Sequence, residues 1–202
     1  MSKILFLVAG KPGSGKSTAS KLAATKLGNV YHFSMGDELR ARGLFGKASK
    51  HSEEAKRYAN EMKQSLPVPA SLSAKVFEEC VQTSPYDTII VDGYPQYQDR
   101  LLGFSETIER VDATIAAIFK IDISDKVAFE RLSNRKQRTD AEEDHAYIAK
   151  RLQGYIANVV PTVSILAKDY PLIVIDGNQP PEQVAADLEI NIKTYRLQVN
   201  PG

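Results

Sequence analysis

The sequence lacks paired cysteines, an excess of charge of one sign and any long apolar run, and each absence excludes a class of protein. Cys80 is the only cysteine in 202 residues, which rules out an intramolecular disulfide framework and a zinc site built from paired thiolates. We expect it to be a buried, apolar side chain on a helix. The 26 basic and 25 acidic side chains leave a net charge of +1, so the composition indicates neither nucleic-acid nor membrane binding. No stretch approaches the roughly 20 apolar residues of a transmembrane helix, and we expect a cytoplasmic protein.

What the sequence does contain is an alternation of short apolar runs, rich in β-branched residues, with segments of helical periodicity. This alternation predicts an α/β fold, a mostly parallel sheet with helices on both faces. The length of 202 residues favours one domain with an insertion or two. Residues 198–202 are predicted to form a frayed tail. The predicted strands are 4–9, 30–33, 88–91, 114–121 and 172–175, and the predicted helices are 17–27, 52–64, 72–80, 125–135, 142–168 and 181–193.

The strongest motif is the segment GKPGSGKS, from Gly10 to Ser17, which matches G-x-x-x-x-G-K-[ST] between a predicted strand and a predicted helix. Glycines let the backbone turn so that successive N–H groups and the helix N-terminus point at a phosphate, a geometry that a Cβ would obstruct. Lys16 would reach the β and γ phosphates of ATP, and the Ser17 hydroxyl would ligate Mg²⁺. The residues predicted to bind ATP in this loop are Gly13, Ser14, Gly15, Lys16, Ser17 and Thr18.

Asp92 is the candidate for a second metal-binding group. It stands at the C-terminal end of the apolar run TIIVD, the edge at which open α/β sheets bind their ligands. An aspartate at a strand end is often only a turn former. Together with the phosphate-binding loop at residues 10–17 (the P-loop), the position of Asp92 favours a carboxylate that holds Mg²⁺, partly through water.

A P-loop does not specify a reaction, because GTPases, motors, transporters and kinases all contain one. Four further stretches narrow the choice: SMGDELR at 34–40, DGYP at 92–95, an arginine-rich segment at 130–151 and IDG at 175–177. In this combination and order the chain resembles the adenylate kinase family of nucleoside monophosphate kinases over nearly its whole length. The G-D-x-L-R and D-G-[FY]-P motifs are far more specific than the P-loop.

The resemblance implies a three-layer P-loop kinase fold around a five-stranded parallel sheet. The core domain would comprise residues 1–33, 85–133 and 148–197, with an insertion at 34–84 that binds the acceptor nucleotide and a short lid at 134–147. This lid has no room for paired metal ligands, so a zinc-free form is implied. The implied substrates are ATP, used with Mg²⁺, and a nucleoside monophosphate. We expect the protein to act on them as a monomer.

The resemblance also implies roles for particular residues. Arg131 resembles the arginine that stacks on the ATP base, and Arg40 the one that grips the acceptor phosphate. Asp140 resembles a lid aspartate that orients arginines around the transferring phosphoryl group. The implied catalytic residues are Lys16, Asp92, Arg135, Arg138 and Arg151, of which the three arginines clamp that group. The implied acceptor-binding residues are Met35, Gly36, Asp37, Arg40, Gly93, Tyr94, Gln96 and Arg100.

The chemistry of phosphoryl transfer supports an arginine-rich site independently of the resemblance. A phosphate acceptor is already an oxyanion and needs no general base, so catalysis reduces to holding two highly charged groups in line. Guanidinium groups suit this task because their planar forks bind phosphate oxygens in pairs and stay charged. Arg131 and Arg135 stand four apart on one predicted helical face, where they repel each other mildly unless an anion lies between them.

The departures from the family pattern lie on the acceptor side. Gln96 stands where the family has an arginine that contacts the acceptor phosphate, and Arg100, one helical turn further on, is the candidate to supply the missing charge. Met35 replaces a threonine near the acceptor base, and Ala70 replaces an acidic residue. The sequence therefore favours ATP as the donor and leaves the base of the acceptor open.

Two other functions stay open at this level. A P-loop kinase of a small hydroxyl-bearing metabolite would need a carboxylate base, for which Asp37 is the candidate. A nucleotide-dependent regulatory binding protein would hydrolyse ATP slowly and would transfer no phosphoryl group.

Overall fold

Five parallel strands form the centre of the computed structural model, which describes residues 2–42, 68–134 and 145–199. All four strand pairings are parallel, and the order across the sheet is β2-β3-β1-β4-β5. The strands are β1 (Lys3–Gly10), β2 (Val30–Ser34), β3 (Thr88–Asp92), β4 (Ala113–Asp122) and β5 (Leu172–Asp176). Each predicted strand is present and is one or two residues longer than its apolar run, which confirms the predicted sheet.

Helices cover both faces of this sheet. None of those in the described ranges combines the length and the hydropathy that a membrane crossing requires. Local chemistry sets several helix ends; for example, the Ser124 hydroxyl accepts a hydrogen bond from the Val127 N–H at 3.2 Å where α5 begins. The helices are α1 (Lys16–Leu27), α2 (Met35–Ala41), α3 (Ala70–Thr83), α4 (Leu101–Arg110), α5 (Asp125–Ser133), α6 (His145–Gly154), α7 (Val160–Leu166) and α8 (Pro181–Val199), with a 3₁₀ turn at Gln98–Arg100.

The side chains of β1 alternate between two hydrophobic cores, one on each face of the sheet. Ile4, Phe6 and Val8 pack with α1 and α8 on one face. Leu5 and Leu7 pack with α3 and α4 on the other. Fully burying a side chain of this size contributes about 1.5–3 kcal/mol, so the two cores hold β1 firmly in the middle of the sheet. The loop that follows β1 therefore starts from a rigid support.

The predicted helix 142–168 is confirmed as helical over the described residues 145–166, but it is not a regular α-helix throughout. A π-helical turn (Tyr155–Val159) separates α6 from α7, and the Val160 N–H bonds to the Tyr155 carbonyl five residues back. Pro161 explains the interruption, because a proline nitrogen carries no hydrogen for the usual bond to the carbonyl four residues back.

Two other helix predictions need correction at their ends. α3 runs from Ala70 to Thr83 and is longer than predicted at both ends. α8 continues to Val199, so Gln198 and Val199 belong to a helix and not to a frayed tail. The predicted helix 52–64 lies outside the described residues.

The described ends of the segment predicted as the acceptor-binding insertion lie side by side. Arg42, after α2, donates to Glu79 of α3 at 2.6 Å and to the Cys80 sulfur at 3.6 Å. The Tyr31 hydroxyl of β2 donates to Glu38 of α2 at 2.9 Å. Cys80 is buried in the core on α3, which confirms its predicted role. The insertion itself stays a prediction, because residues 43–67 lie outside the described ranges.

Candidate active site

The turn between β1 and α1 has a shape that only glycine permits at several positions. Gly13 and Gly15 have φ values of 86° and 79°, in the left-handed region that side chains disfavour. A Cβ on Gly10 would lie 2.8 Å from the Ile121 carbonyl oxygen, and one on Gly13 would lie 2.9 Å from the Ala128 carbonyl oxygen. The backbone of this loop therefore packs against β4 and α5 where a side chain would not fit.

Two basic side chains tie the loop to its surroundings. Lys11 donates to the Ile123 carbonyl at 2.8 Å and to Asp125 at 2.6 Å. Arg131, on α5, donates to the Gly177 carbonyl at 2.9 Å and to the Gly13 carbonyl at 3.5 Å. Arg131 thus lies where the P-loop meets the turn after β5. Its predicted role, stacking on the ATP base, stays a prediction.

Ser17 and Asp92, the two residues predicted to hold Mg²⁺, are hydrogen-bonded to each other at the C-terminal edge of the sheet; their role stays a prediction. The Ser17 hydroxyl donates to Oδ2 of Asp92, which leaves the lone pairs of the hydroxyl oxygen available. Asp92 is 2% exposed, and its Oδ1 has no hydrogen-bond partner within the described ranges. A buried carboxylate oxygen without a partner costs free energy, so this oxygen is the clearest sign of a binding position.

The surroundings of Asp92 keep it ionised. Burial alone would raise its pKa, but the His32 ring, the positive charge of Lys16 and the Ser17 hydroxyl outweigh burial and hold the pKa below its ordinary value. Hydroxyl and carboxylate oxygens are the protein ligands that Mg²⁺ prefers. The residues present therefore fit a magnesium ion.

His32 lies beside Asp92 and was not predicted from the sequence. It lies on β2, and its Nε2 is 3.9 Å from Oδ2 of Asp92, too far for a hydrogen bond. A histidine inside a short apolar strand gives no clear signal in the sequence. Only the pairing of β2 with β3, with Ser34 level with Asp92, brings the ring to the carboxylate.

A cavity of about 610 Å³ opens at the C-terminal edge of the sheet, a volume typical of small-molecule sites. The P-loop, the turn after β3 and the helical segment from α6 to α7 line it. Five of the predicted site residues lie on its wall: Lys16, Gly93, Tyr94, Gln96 and Arg151. Lys150, which was not predicted, also lines it. Arg135, Arg138 and Asp140 lie outside the described residues.

The start of α2 carries the predicted acceptor residues in a compact turn. The Ser34 hydroxyl accepts a hydrogen bond from the Asp37 N–H at 3.4 Å, and Arg40 donates to the Asp37 carboxylate. A Cβ on Gly36 would lie 3.4 Å from the Arg40 guanidinium, so glycine leaves that side chain room. Met35 is buried. Asp37 is paired with a cation and 62% exposed, which does not favour it as a general base.

Tyr94, which also lines the cavity, and Arg100 both make contacts with the protein interior. Tyr94 packs against Phe77 and Phe104, with ring centroids 5.0 and 5.2 Å away, and burial raises its pKa to about 12. The Arg100 guanidinium is buried, lies 4.4 Å from the centroid of the Tyr97 ring and donates to the Val68 carbonyl and the Ser73 hydroxyl. In this structure Arg100 therefore binds the chain that returns from the insertion. That Arg100 supplies the positive charge missing at Gln96 stays a prediction.

Comparison with known proteins gives a uniform result. A family model described as adenylate kinase matches residues 8–170. The adenylate kinase of Campylobacter jejuni (strain RM1221) is 31% identical over 193 residues, which cover 95% of this chain and 97% of that protein. That of Campylobacter lari (strain RM2100) is 28% identical over 188 residues, covering 93% and 95%. That of Sulfurovum sp. (strain NBC37-1) is 26% identical over 196 residues, covering 93% and 96%.

Proposed function

The chain belongs to the adenylate kinase family, and we propose that the cavity beside its P-loop is where it transfers the γ-phosphoryl group of ATP to a nucleoside monophosphate, with AMP as the acceptor. Family membership makes it an ATP-dependent phosphotransferase of this class. The observation that carries the assignment of the site is convergence: Lys16, Gln96 and Arg151 reach one cavity from three separate parts of the chain.

The donor phosphates bind at the P-loop. Its glycines place backbone N–H groups and the N-terminus of α1 toward the anion, since a Cβ on Gly10 or Gly13 would collide with neighbouring backbone. Lys16, at the first position of α1 and on the cavity wall, adds a charge at the β and γ phosphates.

Ser17 and Asp92 are the residues that would hold Mg²⁺. When bound, the ion would neutralise negative charge on the donor phosphates during the transfer. Ser17 offers its oxygen lone pairs while its hydrogen is directed to Asp92. The unpartnered Oδ1 of Asp92 is suited to accept a hydrogen bond from water in the ion's hydration shell.

The acceptor phosphate attacks as an oxyanion, so the site has to position and shield charge and does not have to remove a proton. Of the arginines in the described ranges, Arg40 on α2 and Arg151 on α6 are proposed to position the phosphates and shield their charge. Arg135 and Arg138 would join them when the lid closes over both substrates and excludes water. The insertion at 34–84 and the lid at 134–147 are proposed as the moving parts. We propose that the protein acts as a cytoplasmic monomer.

The test is a coupled assay that measures ADP formation from ATP and Mg²⁺ with a panel of nucleoside monophosphates. We expect turnover with AMP and its loss in Lys16→Ala. Because Gln96 and Met35 depart from the family pattern on the acceptor side, the panel includes GMP, CMP, UMP and the deoxy forms. Absence of turnover with every monophosphate would refute the proposal, and turnover with a hydroxyl metabolite would replace it.

A further inference from the structure

Two buried polar atoms beside the proposed metal position lack a hydrogen-bond partner among the described residues. Nε2 of His32 and Oδ1 of Asp92 are both without a hydrogen bond in the described part of the chain. They belong to side chains that face each other, with Nε2 of His32 at 3.9 Å from Oδ2 of Asp92. Leaving a buried donor or acceptor unsatisfied costs about 1–3 kcal/mol per group, so an unpaired histidine here calls for an explanation.

Packing alone does not explain His32. Its side chain is 12% exposed, and it lies on a strand whose buried positions are Val30, Phe33 and Ser34. Of these only Ser34 is polar, and its hydroxyl accepts a hydrogen bond from the Asp37 N–H. An aliphatic side chain could fill the space of His32 without burying a nitrogen that lacks a hydrogen bond. The ring is instead directed at the Asp92 carboxylate, which is buried at the sheet edge, and it is close enough for a single water or a small shift to join the two groups.

The two oxygens of Asp92 have different surroundings. Oδ2 accepts from the Ser17 hydroxyl and is the oxygen nearest His32. Oδ1 accepts from no group in the described ranges. A donor that holds Oδ2 from the side of β2 therefore fixes the rotation of the carboxylate and with it the direction of Oδ1.

We propose that His32 is a positioning residue for the magnesium site: its Nε2–H holds the Asp92 carboxylate, directly or through one water, so that Oδ1 is presented to the hydration shell of the ion. This inference rests on the proposed function of the site. His32 is not itself a ligand in this scheme, since Mg²⁺ takes oxygen ligands. Groups that orient metal ligands in this way typically change metal affinity by 10–100-fold when removed. Because Asp92 is proposed to hold the ion partly through water, we expect the lower end of that range.

The experiment measures Mn²⁺ affinity by electron paramagnetic resonance in the full-length protein with a saturating, non-hydrolysable ATP analogue. His32→Leu should weaken Mn²⁺ binding about tenfold and leave binding of the analogue without divalent ions within about twofold. His32→Gln keeps an N–H donor on a side chain of similar reach and should restore most of the affinity. Tyr31→Phe is the matched control: it removes one hydrogen bond, to Glu38, from the neighbouring position of the same strand, and should leave Mn²⁺ affinity unchanged.

Each outcome decides the question. Equal Mn²⁺ affinity in wild type and His32→Leu would overturn the inference and leave the proposed function intact. An equal loss of Mn²⁺ affinity in His32→Leu and His32→Gln would assign His32 a packing role and would also overturn the inference. If the wild type bound no Mn²⁺ with the analogue present, the proposed metal site itself would fail. Should His32→Leu not fold, His32→Asn, whose amide is too short to reach the carboxylate, takes its place in the comparison with His32→Gln.

Discussion

A methyl group on Gly13 tests whether the P-loop is held against α5 as tightly as the structure indicates. Alanine there has two separate costs. The first is the left-handed backbone, φ 86°, which costs a side chain about 1–2 kcal/mol. The second is the approach of the new Cβ to 2.9 Å from the Ala128 carbonyl oxygen, a backbone atom that cannot swing away. Overpacking of this kind costs about 1–3 kcal/mol, so Gly13→Ala should lose roughly 2–5 kcal/mol of unfolding free energy.

Two matched variants separate these costs. Gly28, the C-cap of α1, has φ 74° and Gly15 has φ 79°, and a Cβ on either would meet no atom within 4 Å. The free energy of unfolding of each alanine variant should therefore fall only by the cost of the left-handed backbone, about 1–2 kcal/mol. Gly28→Ala should keep its ATP affinity because it lies at the far end of the helix. Gly15→Ala should lose affinity because its backbone is part of the proposed phosphate cradle.

Urea titrations followed by far-ultraviolet circular dichroism measure these differences, since the chain has no tryptophan to report by fluorescence. Isothermal titration with ATP supplies the affinities. Equal urea midpoints for Gly13→Ala and Gly28→Ala would show that α5 moves aside freely, and the argument that the loop is rigidly supported would be wrong.

The remaining predictions concern Lys16, Asp92 and Arg100. Lys16→Ala should reduce turnover by at least about 100-fold, because its charge is most valuable in the transition state; steady-state kinetics that show an unchanged rate would remove it from the mechanism. Since the pKa of Asp92 is lowered in the folded protein, its ionised form stabilises the fold above its ordinary value of 3.8, and that contribution is lost as the pH falls below it. In Asp92→Asn the free energy of unfolding, measured by urea titration at several pH values, should therefore fall less steeply with decreasing pH below about 4 than in the wild type. An unchanged slope in that range would contradict the lowered pKa of Asp92. Arg100→Met should speed hydrogen exchange and proteolysis around Val68 and Ser73, which lose their donor. Arg110→Met, which removes an ion pair with Glu78 and a hydrogen bond to the Thr107 hydroxyl and leaves Val68 and Ser73 their donor, is the control and should change neither.

Features that depend on local patterns were predictable. Apolar runs rich in β-branched residues predicted the five strands of the described ranges, because burial on both faces demands continuous apolar sequence. The glycine spacing of residues 10–17 predicted the loop between β1 and α1, since positive φ and close backbone approach exclude other side chains. The π-helical turn before Pro161 was also encoded locally, because proline lacks the N–H of a regular α-helix, but it was not predicted.

Features that depend on which elements become neighbours were not predictable in this way. His32 became part of the site only through the pairing of β2 with β3. The direction of Arg100 depends on the carbonyl of Val68, thirty-two positions away in the chain. Arg131 reaches Gly13 and Gly177 because α5 packs beside two loops that are distant in sequence.

The sequence by itself determined the class of fold, the phosphate-binding loop and the family, because each is written in short-range periodicity or in motifs of a few residues. The tertiary structure decided which side chains face one another at the sheet edge, whether a predicted arginine faces the cavity or the interior, and which buried atoms stay unpaired. Those outcomes depend on strand order and on helix packing against the sheet, and both are set by the combined burial of many residues far apart in the chain.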